Sequence, residues 1–159
     1  MIILLEGNEG TGKSTLAKEL AAKLGCVYKH MDKPVDEDDA KAQLQYYKRL
    51  LVTKETFVLD RGWISEWVYS KVKNRKCSIS DDEFDELDRL LAKRGYILWC
   101  GTKHEHVQSA ILRAHTRGED YVNSSEMVMV QFLYAEYMNK TKCPVLKYDL
   151  EEQGYYDKN

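Results

Sequence analysis

The sequence lacks the means to build several kinds of protein. Its four cysteines, Cys26, Cys77, Cys100 and Cys143, stand far apart and form no C-x-x-C pair, so no zinc site is expected. Cys26 and Cys100 sit at or near apolar runs and read as reduced core residues, which suits a cytosolic setting. No run approaches membrane-spanning length, and "MIILLEG" turns polar too soon for a signal peptide. A soluble protein of the cytoplasm is expected, without a membrane partner. Nor is there an excess of one charge: the formal net charge is −2 with the signs well mixed, and nothing global argues for binding nucleic acid. The four histidines show no metal-ligand pattern beyond His104-x-His106, and those two read as surface residues at a helix start. Repeats, low-complexity stretches and linkers are absent too. With 159 residues, 43% of them hydrophobic, one domain over residues 1–159 with a sizeable core is expected.

What is present alternates. Ile2 to Leu5 reads as a fully buried strand, and Ser14 to Leu24 as a helix with Leu16, Ala17, Leu20, Ala21 and Leu24 on one face, stopped by Gly25. Cys26 to Tyr28 reads as a short strand, and the acidic "DEDD" from Asp36 as a solvated loop leading into a helix over Ala40 to Leu51. A buried strand over Thr56 to Asp60, a helix over Trp63 to Val72, and a helix opened by the Ser80/Glu83 capping-box pair follow. Tyr96 to Cys100 is the next strand, His104 to His115 a helix, Glu126 to Asn139 a long helix and Pro144 to Asp149 the last strand, with no signal after Glu151. Short buried strands alternating with helices imply a three-layer α/β fold with a parallel sheet.

Gly7-Asn8-Glu9-Gly10-Thr11-Gly12-Lys13-Ser14, followed by Thr15, fits G-x-x-x-x-G-K-[ST] in full and lies between the first strand and the first helix. Successive N–H groups of such a loop curl around phosphate, helped by the helix N-terminus. Lys13 can reach the β- and γ-phosphates, and the Ser14 hydroxyl can join a Mg²⁺ shell. This P-loop predicts that a nucleotide phosphate, with ATP and Mg²⁺ as the expected pair, binds here. Asp60 ends a buried strand, as a second metal-side carboxylate would, and Arg61 follows it. Arg113 and Arg117, four apart on one helix face, are placed to close over transferring phosphates. A helix cap at Asp60 and a solvated charged face at the two arginines are the plainer alternatives.

Taken together, "LLEGNEGTGKSTLAKELAAKLG", "VLDRGWISEWVYS" and "ILRAHTRGEDYV" resemble the thymidylate kinase/deoxynucleoside kinase group of P-loop kinases, over Met1 to about Tyr148. Asp60, Arg61, Ser65 and Tyr69 match the group's D-R-x-x-x-S-x-x-x-Y segment. The chain looks most similar to the short thymidylate-kinase-like proteins of bacteriophages, which would place it in a host cytoplasm. The resemblance implies a P-loop NTPase fold with a five-stranded parallel sheet, a mobile lid over about residues 113–123, and a homodimer in many members. It implies roles for Asp60 and Arg61 at the acceptor phosphate and metal, and for the lid arginines on ATP.

The sequence departs from the group after the second strand, where members carry Glu-Pro. Here the run is "HMDKPV", with Pro34 in place but Lys33 where Glu is expected and Asp32 where thymidylate kinases have Arg. A nucleoside kinase needs a carboxylate to deprotonate a 5′-hydroxyl, whereas a monophosphate attacks with an oxygen that is already anionic. Lys33 and Arg61 favour a deoxynucleoside monophosphate acceptor, dTMP first. Asp32 as a base keeps open a deoxynucleoside kinase acting on thymidine or deoxycytidine. For the base, Tyr46, Tyr47, Trp63 and Trp67 offer rings, one of the two tryptophans being core, and Gln43 or Arg49 offers an edge contact. A nucleotide-dependent switch or motor is the reading from another class. "NKTK" at Asn139 to Lys142 lacks the aspartate that a guanine-specific switch carries.

Overall fold

Strand β1 (Ile2–Gly7) is buried on both sides, as the apolar run Ile2 to Leu5 requires: Ile2 and Leu4 face one layer of helices, Ile3 and Leu5 the other. The structure, a computed structural model, describes residues 1–8, 11–101, 112–113, 115–118, 123–149, 152 and 154–156. Strands β2 (Val27–His30), β3 (Phe57–Asp60), β4 (Gly95–Gly101) and β5 (Val145–Asp149) join β1 in a parallel sheet. A short β6 (Gly154–Tyr156) pairs antiparallel with β5, so the order is β2-β3-β1-β4-β5-β6. The expected five-stranded parallel sheet is there. The tail adds an edge strand that no periodicity announced.

Five helices are described: α1 (Lys13–Leu24), α2 (Glu37–Val52), α3 (Trp63–Val72), α4 (Asp81–Ala92) and α5 (Ser124–Lys140). Leu16, Ala17 and Ala21 of α1 pack on Ile3, Leu5, Val58, Leu98 and Cys100, while α2 to α5 cover the opposite face over Ile2, Leu4, Phe57, Leu59 and Ile97. Two helices begin earlier than their apolar pattern. Asp36, expected in a solvated loop, caps α2 by accepting from Asp39 N–H at 2.8 Å, and Glu37 to Asp39 form an acidic first turn that suits the helix dipole. Asn123 and Glu126 form a capping box that starts α5 at Ser124, and the Ser80/Glu83 box opens α4 as its spacing predicts. Most of the helix expected over His104 to His115 lies outside the described residues; Leu112, Arg113, His115 and Thr116 are helical. Among the described residues no helix is long and apolar enough to cross a membrane.

One polar knot ties the helical layer together. Asp88 of α4, 7% exposed, accepts from Trp63 Nε1 at 2.8 Å, Tyr137 OH at 2.9 Å and Thr141 Oγ1 at 2.6 Å. Burial still pushes its carboxyl above the ordinary value, although all three donors favour the ionised form. An unsatisfied buried donor costs about 1–3 kcal/mol. Asp88→Ala is therefore expected to lower the unfolding free energy by roughly 3 kcal/mol or more in urea titrations. A loss below about 1 kcal/mol would show that α3, α4 and α5 are not held by this carboxylate.

Candidate functional site

The loop after β1 leaves the sheet where its backbone has no room for a side chain. At Gly7, with φ +152°, an added Cβ would lie 2.1 Å from the carbonyl oxygen of Cys100 on β4. Gly12 takes the left-handed conformation, φ 73°, that turns the chain into α1. Between them Thr11 Oγ1 donates to the Asn8 carbonyl at 2.7 Å, and Lys13 Nζ donates to the same oxygen at 3.0 Å. Asn8, Thr11 and Lys13 are buried, while Ser14 and Thr15 are exposed on the first turn of α1. Glu9 and Gly10 lie outside the described residues.

Parallel pairing brings β3 alongside, with Leu5 opposite Asp60. Asp60 is fully buried, and its Oδ2 accepts from Ser14 Oγ at 2.7 Å and Tyr28 OH at 2.8 Å, with His30 Nδ1 at 3.2 Å. Burial works against the carboxylate, but the Ser14 and Tyr28 bonds and the charges of Lys13 and His30 bring its pKa below the ordinary value. The Tyr28 hydroxyl, in turn, is pushed up to about 12 by burial and by Asp60 and remains a donor. Oδ1 of Asp60 is buried and meets no hydrogen-bond donor among the described residues. A hydroxyl and a carboxylate with a spare buried oxygen, beside a phosphate loop, are hard oxygen ligands that suit Mg²⁺. Among the described residues no group of three or more His, Cys, Asp or Glu could hold a metal.

The turn after β3 exposes what the motifs did not assign. Arg61 has φ 68°, unusual for a side-chain-bearing residue. Its N–H still donates to Leu5 O at 2.9 Å, extending the ladder before the chain bends into α3. Glu6, 0% exposed, holds this bend: it accepts from Gly62 N–H at 2.8 Å, Ser65 N–H at 3.2 Å and Ser65 Oγ at 2.5 Å. Tyr134 of α5 reaches the same carboxylate at 3.4 Å and Ser65 Oγ at 2.9 Å. Burial raises the Glu6 pKa against the Ser65 bond and the Arg61 charge, which both lower it. The Arg61 guanidinium donates to Ser65 Oγ at 3.3 Å and Gly7 O at 3.5 Å, and lies 5.6 Å from the centre of the Tyr69 ring.

Arg61 opens onto a cavity of about 200 Å³ whose lining includes Asp32, Lys33, Gln43 and Tyr47, four of the expected acceptor residues. Trp63, also expected there, is elsewhere. Its ring is fully buried in the helical layer, 5.4 Å from that of Tyr47, and its Nε1–H is used by Asp88. Trp67 is core as well, at 5% exposed. The cavity rings are those of Tyr47 and Tyr69. Its wall also holds His30, Glu66, Arg75 and Ser78, which no motif signalled. Arg113 is half-buried and Arg117 exposed; Arg117 N–H donates to Arg113 O at 3.1 Å in a helical turn. The rest of the expected lid, residues 114 and 119–122, lies outside the described residues.

Glu6 is a positioning group for this geometry. Glu6→Ala strands two backbone donors at the start of α3 and is expected to cost roughly 2–5 kcal/mol of stability in urea titrations. It is also expected to weaken binding of a fluorescent nucleotide several-fold, with Glu6→Gln, which keeps one acceptor oxygen, in between. Wild-type stability and affinity in the alanine variant would remove Glu6 from the site.

No protein-family model and no curated protein matches the chain. Among solved structures it is similar to the YorR protein of Bacillus subtilis, solved in complex with phosphorylated GDP, at TM-score 0.81 and 18% identity over 96% of this chain and 87% of that one. It is also similar to deoxyadenosine kinase from M. mycoides with bound dATP, at TM-score 0.58 and 19% identity over 95% of this chain and 92% of that one. A gluconokinase from Sinorhizobium meliloti 1021 aligns at TM-score 0.58 and 15% identity over 95% and 85% of the two chains. At such identities the likeness is one of fold. The chain has the P-loop NTPase fold.

Proposed function

We propose that the chain is a kinase that moves the γ-phosphoryl group of ATP to a deoxynucleoside monophosphate, dTMP first. The observation that carries the reading is the contact of Ser14 Oγ with Asp60 Oδ2 at 2.7 Å, beside a cavity lined by Arg61 and Lys33. That arrangement joins a phosphate loop to a pocket of the right kind for a second, anionic substrate. Solved neighbours named for their action on deoxyadenosine and on gluconate support phosphoryl transfer in general.

In this reading Lys13 and the loop N–H groups hold the donor phosphates. Ser14 and Asp60 hold Mg²⁺, which offsets phosphate charge when bound. Arg61, with Lys33 beside the same cavity, orients the acceptor phosphate so that one of its oxygens faces the γ-phosphorus. A bond forms from that oxygen to phosphorus, the bond to the β,γ-bridging oxygen breaks, and ADP leaves with the electron pair. The acceptor needs no base, because its attacking oxygen is already anionic. Arg113 and Arg117 spread further positive charge over the transferring group as the lid closes. Dimerisation, common in the group the sequence resembles, is part of the proposal.

A deoxynucleoside kinase is the second reading. It is favoured by Asp32, whose Oδ1 lies 3.2 Å from His30 Nε2 and which lines the cavity as an available carboxylate. A coupled ADP-release assay with ATP, Mg²⁺ and each nucleoside and monophosphate separates the two. Turnover with dTMP and none with thymidine is expected; the reverse pattern establishes the nucleoside kinase. Turnover of every acceptor at the ATP-only background would sink both. Lys13→Ala is expected to remove most of the transfer, about 100-fold or more for a group acting on the transferring phosphates, with an unchanged circular dichroism spectrum. Retained turnover would mean that the loop does not hold the donor.

A further inference from the structure

Asp60 is held unevenly. Ser14 Oγ at 2.7 Å and Tyr28 OH at 2.8 Å both donate to Oδ2, and His30 Nδ1 lies 3.2 Å from the same atom. Oδ1 of this fully buried side chain meets no donor among the described residues. The other buried carboxylates with several partners are satisfied differently. Glu6 accepts on Oε1 from Gly62 and on Oε2 from Ser65. Glu66 accepts on both oxygens from Arg75. Asp88 accepts on Oδ1 from Trp63 and on Oδ2 from Tyr137. A buried acceptor left bare is costly, and in native proteins it marks a place for an ion or a water.

The strand beside Asp60 supplies the second hydroxyl. In the pairing of β2 with β3, Tyr28 stands opposite Val58 and His30 opposite Asp60. The Tyr28 side chain therefore spans the two-residue step from Val58 to Asp60, roughly 7 Å of strand. Residues two apart on a strand face the same side, which is why Tyr28 and His30 both reach Asp60. Lys29 between them turns the other way, to the ring of Phe57. The Tyr28 ring packs against the α1-side core, so its hydroxyl is delivered by a supported side chain. Ser14 by itself would be a weak restraint, because the terminal torsion of an aspartate is broad and roughly two-fold. A serine that also offers a lone pair to a cation is less free to hold the carboxylate. A second hydroxyl on the same oxygen, from a different strand, fixes the plane of the group.

We propose that Tyr28 is a positioning residue for the metal side of the site: its hydroxyl secures Oδ2 of Asp60 and so leaves Oδ1 for Mg²⁺ or for a water on it. The inference rests on the reading of Ser14 and Asp60 as the Mg²⁺ groups and extends it to a residue outside every motif. Partners that orient a metal-side ligand matter nearly as much as the ligand, and their loss costs about 10–100-fold in metal affinity.

The test is the calorimetric Kd of a non-hydrolysable ATP analogue with Mg²⁺ and with EDTA, whose ratio reads the contribution of the metal. Tyr28→Phe keeps the ring and removes only the hydroxyl. It is expected to lower that ratio roughly tenfold, with the Kd in EDTA unchanged. Lys18→Met removes the ammonium 5.6 Å from the centre of the same ring and is expected to leave both values as in the wild type. If Tyr28 acts through Asp60, Y28F/D60N is no worse than Asp60→Asn alone. Additive losses overturn the proposal, as do equal losses with and without metal, or a wild type whose Kd ignores Mg²⁺. The coupled ADP-release assay separates the two readings. Transfer to an acceptor with a wild-type ratio in Tyr28→Phe overturns the role of Tyr28 and leaves the kinase standing. No transfer to any acceptor, with the ratio still dependent on Tyr28 and Asp60, overturns the kinase and leaves the positioning role.

Discussion

The register of β1 against β3 is the constraint from which the site follows. With Leu5 opposite Asp60, the two strands end at the same edge of the sheet, where ligands of open α/β sheets bind. The loop after β1 and the Asp60 carboxylate then meet without a long connection. A slip of one residue would exchange the faces of the strand and carry Asp60 away from Ser14, while turning Leu59 toward α1. The polar ends of the two strands oppose it, because Glu6 holds Gly62 and Ser65 while Asp60 holds Ser14 and Tyr28. The pairing of two strands thus sets a polar distance of 2.7 Å.

The same register requires a sharp departure at Arg61, and Glu6 is what makes that departure stable. A side-chain-bearing residue in the left-handed region costs on the order of 1 kcal/mol or more. The bonds that Glu6 accepts from Gly62 and Ser65 offset this, and each ties the start of α3 to β1. Tyr134 brings α5 into the same cluster. One buried carboxylate therefore joins the strand before the phosphate loop, the turn that carries Arg61, and the helix that follows the expected lid.

Much of this was legible in the sequence, for a physical reason. Buried strands, amphipathic helices and the phosphate loop are written in local spacing, and the glycines, lysine and adjacent serine of the loop have few other uses in that order. The Ser80/Glu83 box is local too and opened α4 where expected. What was not legible depends on partners far along the chain. Glu6 looks like a polar end to a strand until Gly62, Ser65 and Tyr134 arrive from two other helices. Trp63 and Tyr47 are equally plausible stacking rings until the rotation of α3 turns one to Asp88 and leaves the other on the cavity. The acidic run at Asp36 reads as solvated, since its capping role depends on one carboxylate facing one N–H. Strand β6 has no apolar face of its own and forms only because β5 offers an open edge.

The two halves of the site consequently differ in how they are built. The loop after β1 is shaped by backbone: a left-handed glycine at Gly12 and a close approach at Gly7 that leaves no room for a side chain. Its geometry is fixed by the ladder and tolerates little substitution. The cavity beside it is lined by side chains from the ends of β2 and β3, from α2 and α3 and from the segment before α4, with pairs such as Arg75 with Glu66 and Gln43 with the Asp32 carbonyl among them. None of these pairs involves a strand residue. The fold is in this way separated from the lining of the cavity, so the departure at "HMDKPV" leaves the sheet intact. Under the proposed kinase reading, the choice of acceptor rests on the side chains of that lining and not on the strands beneath it.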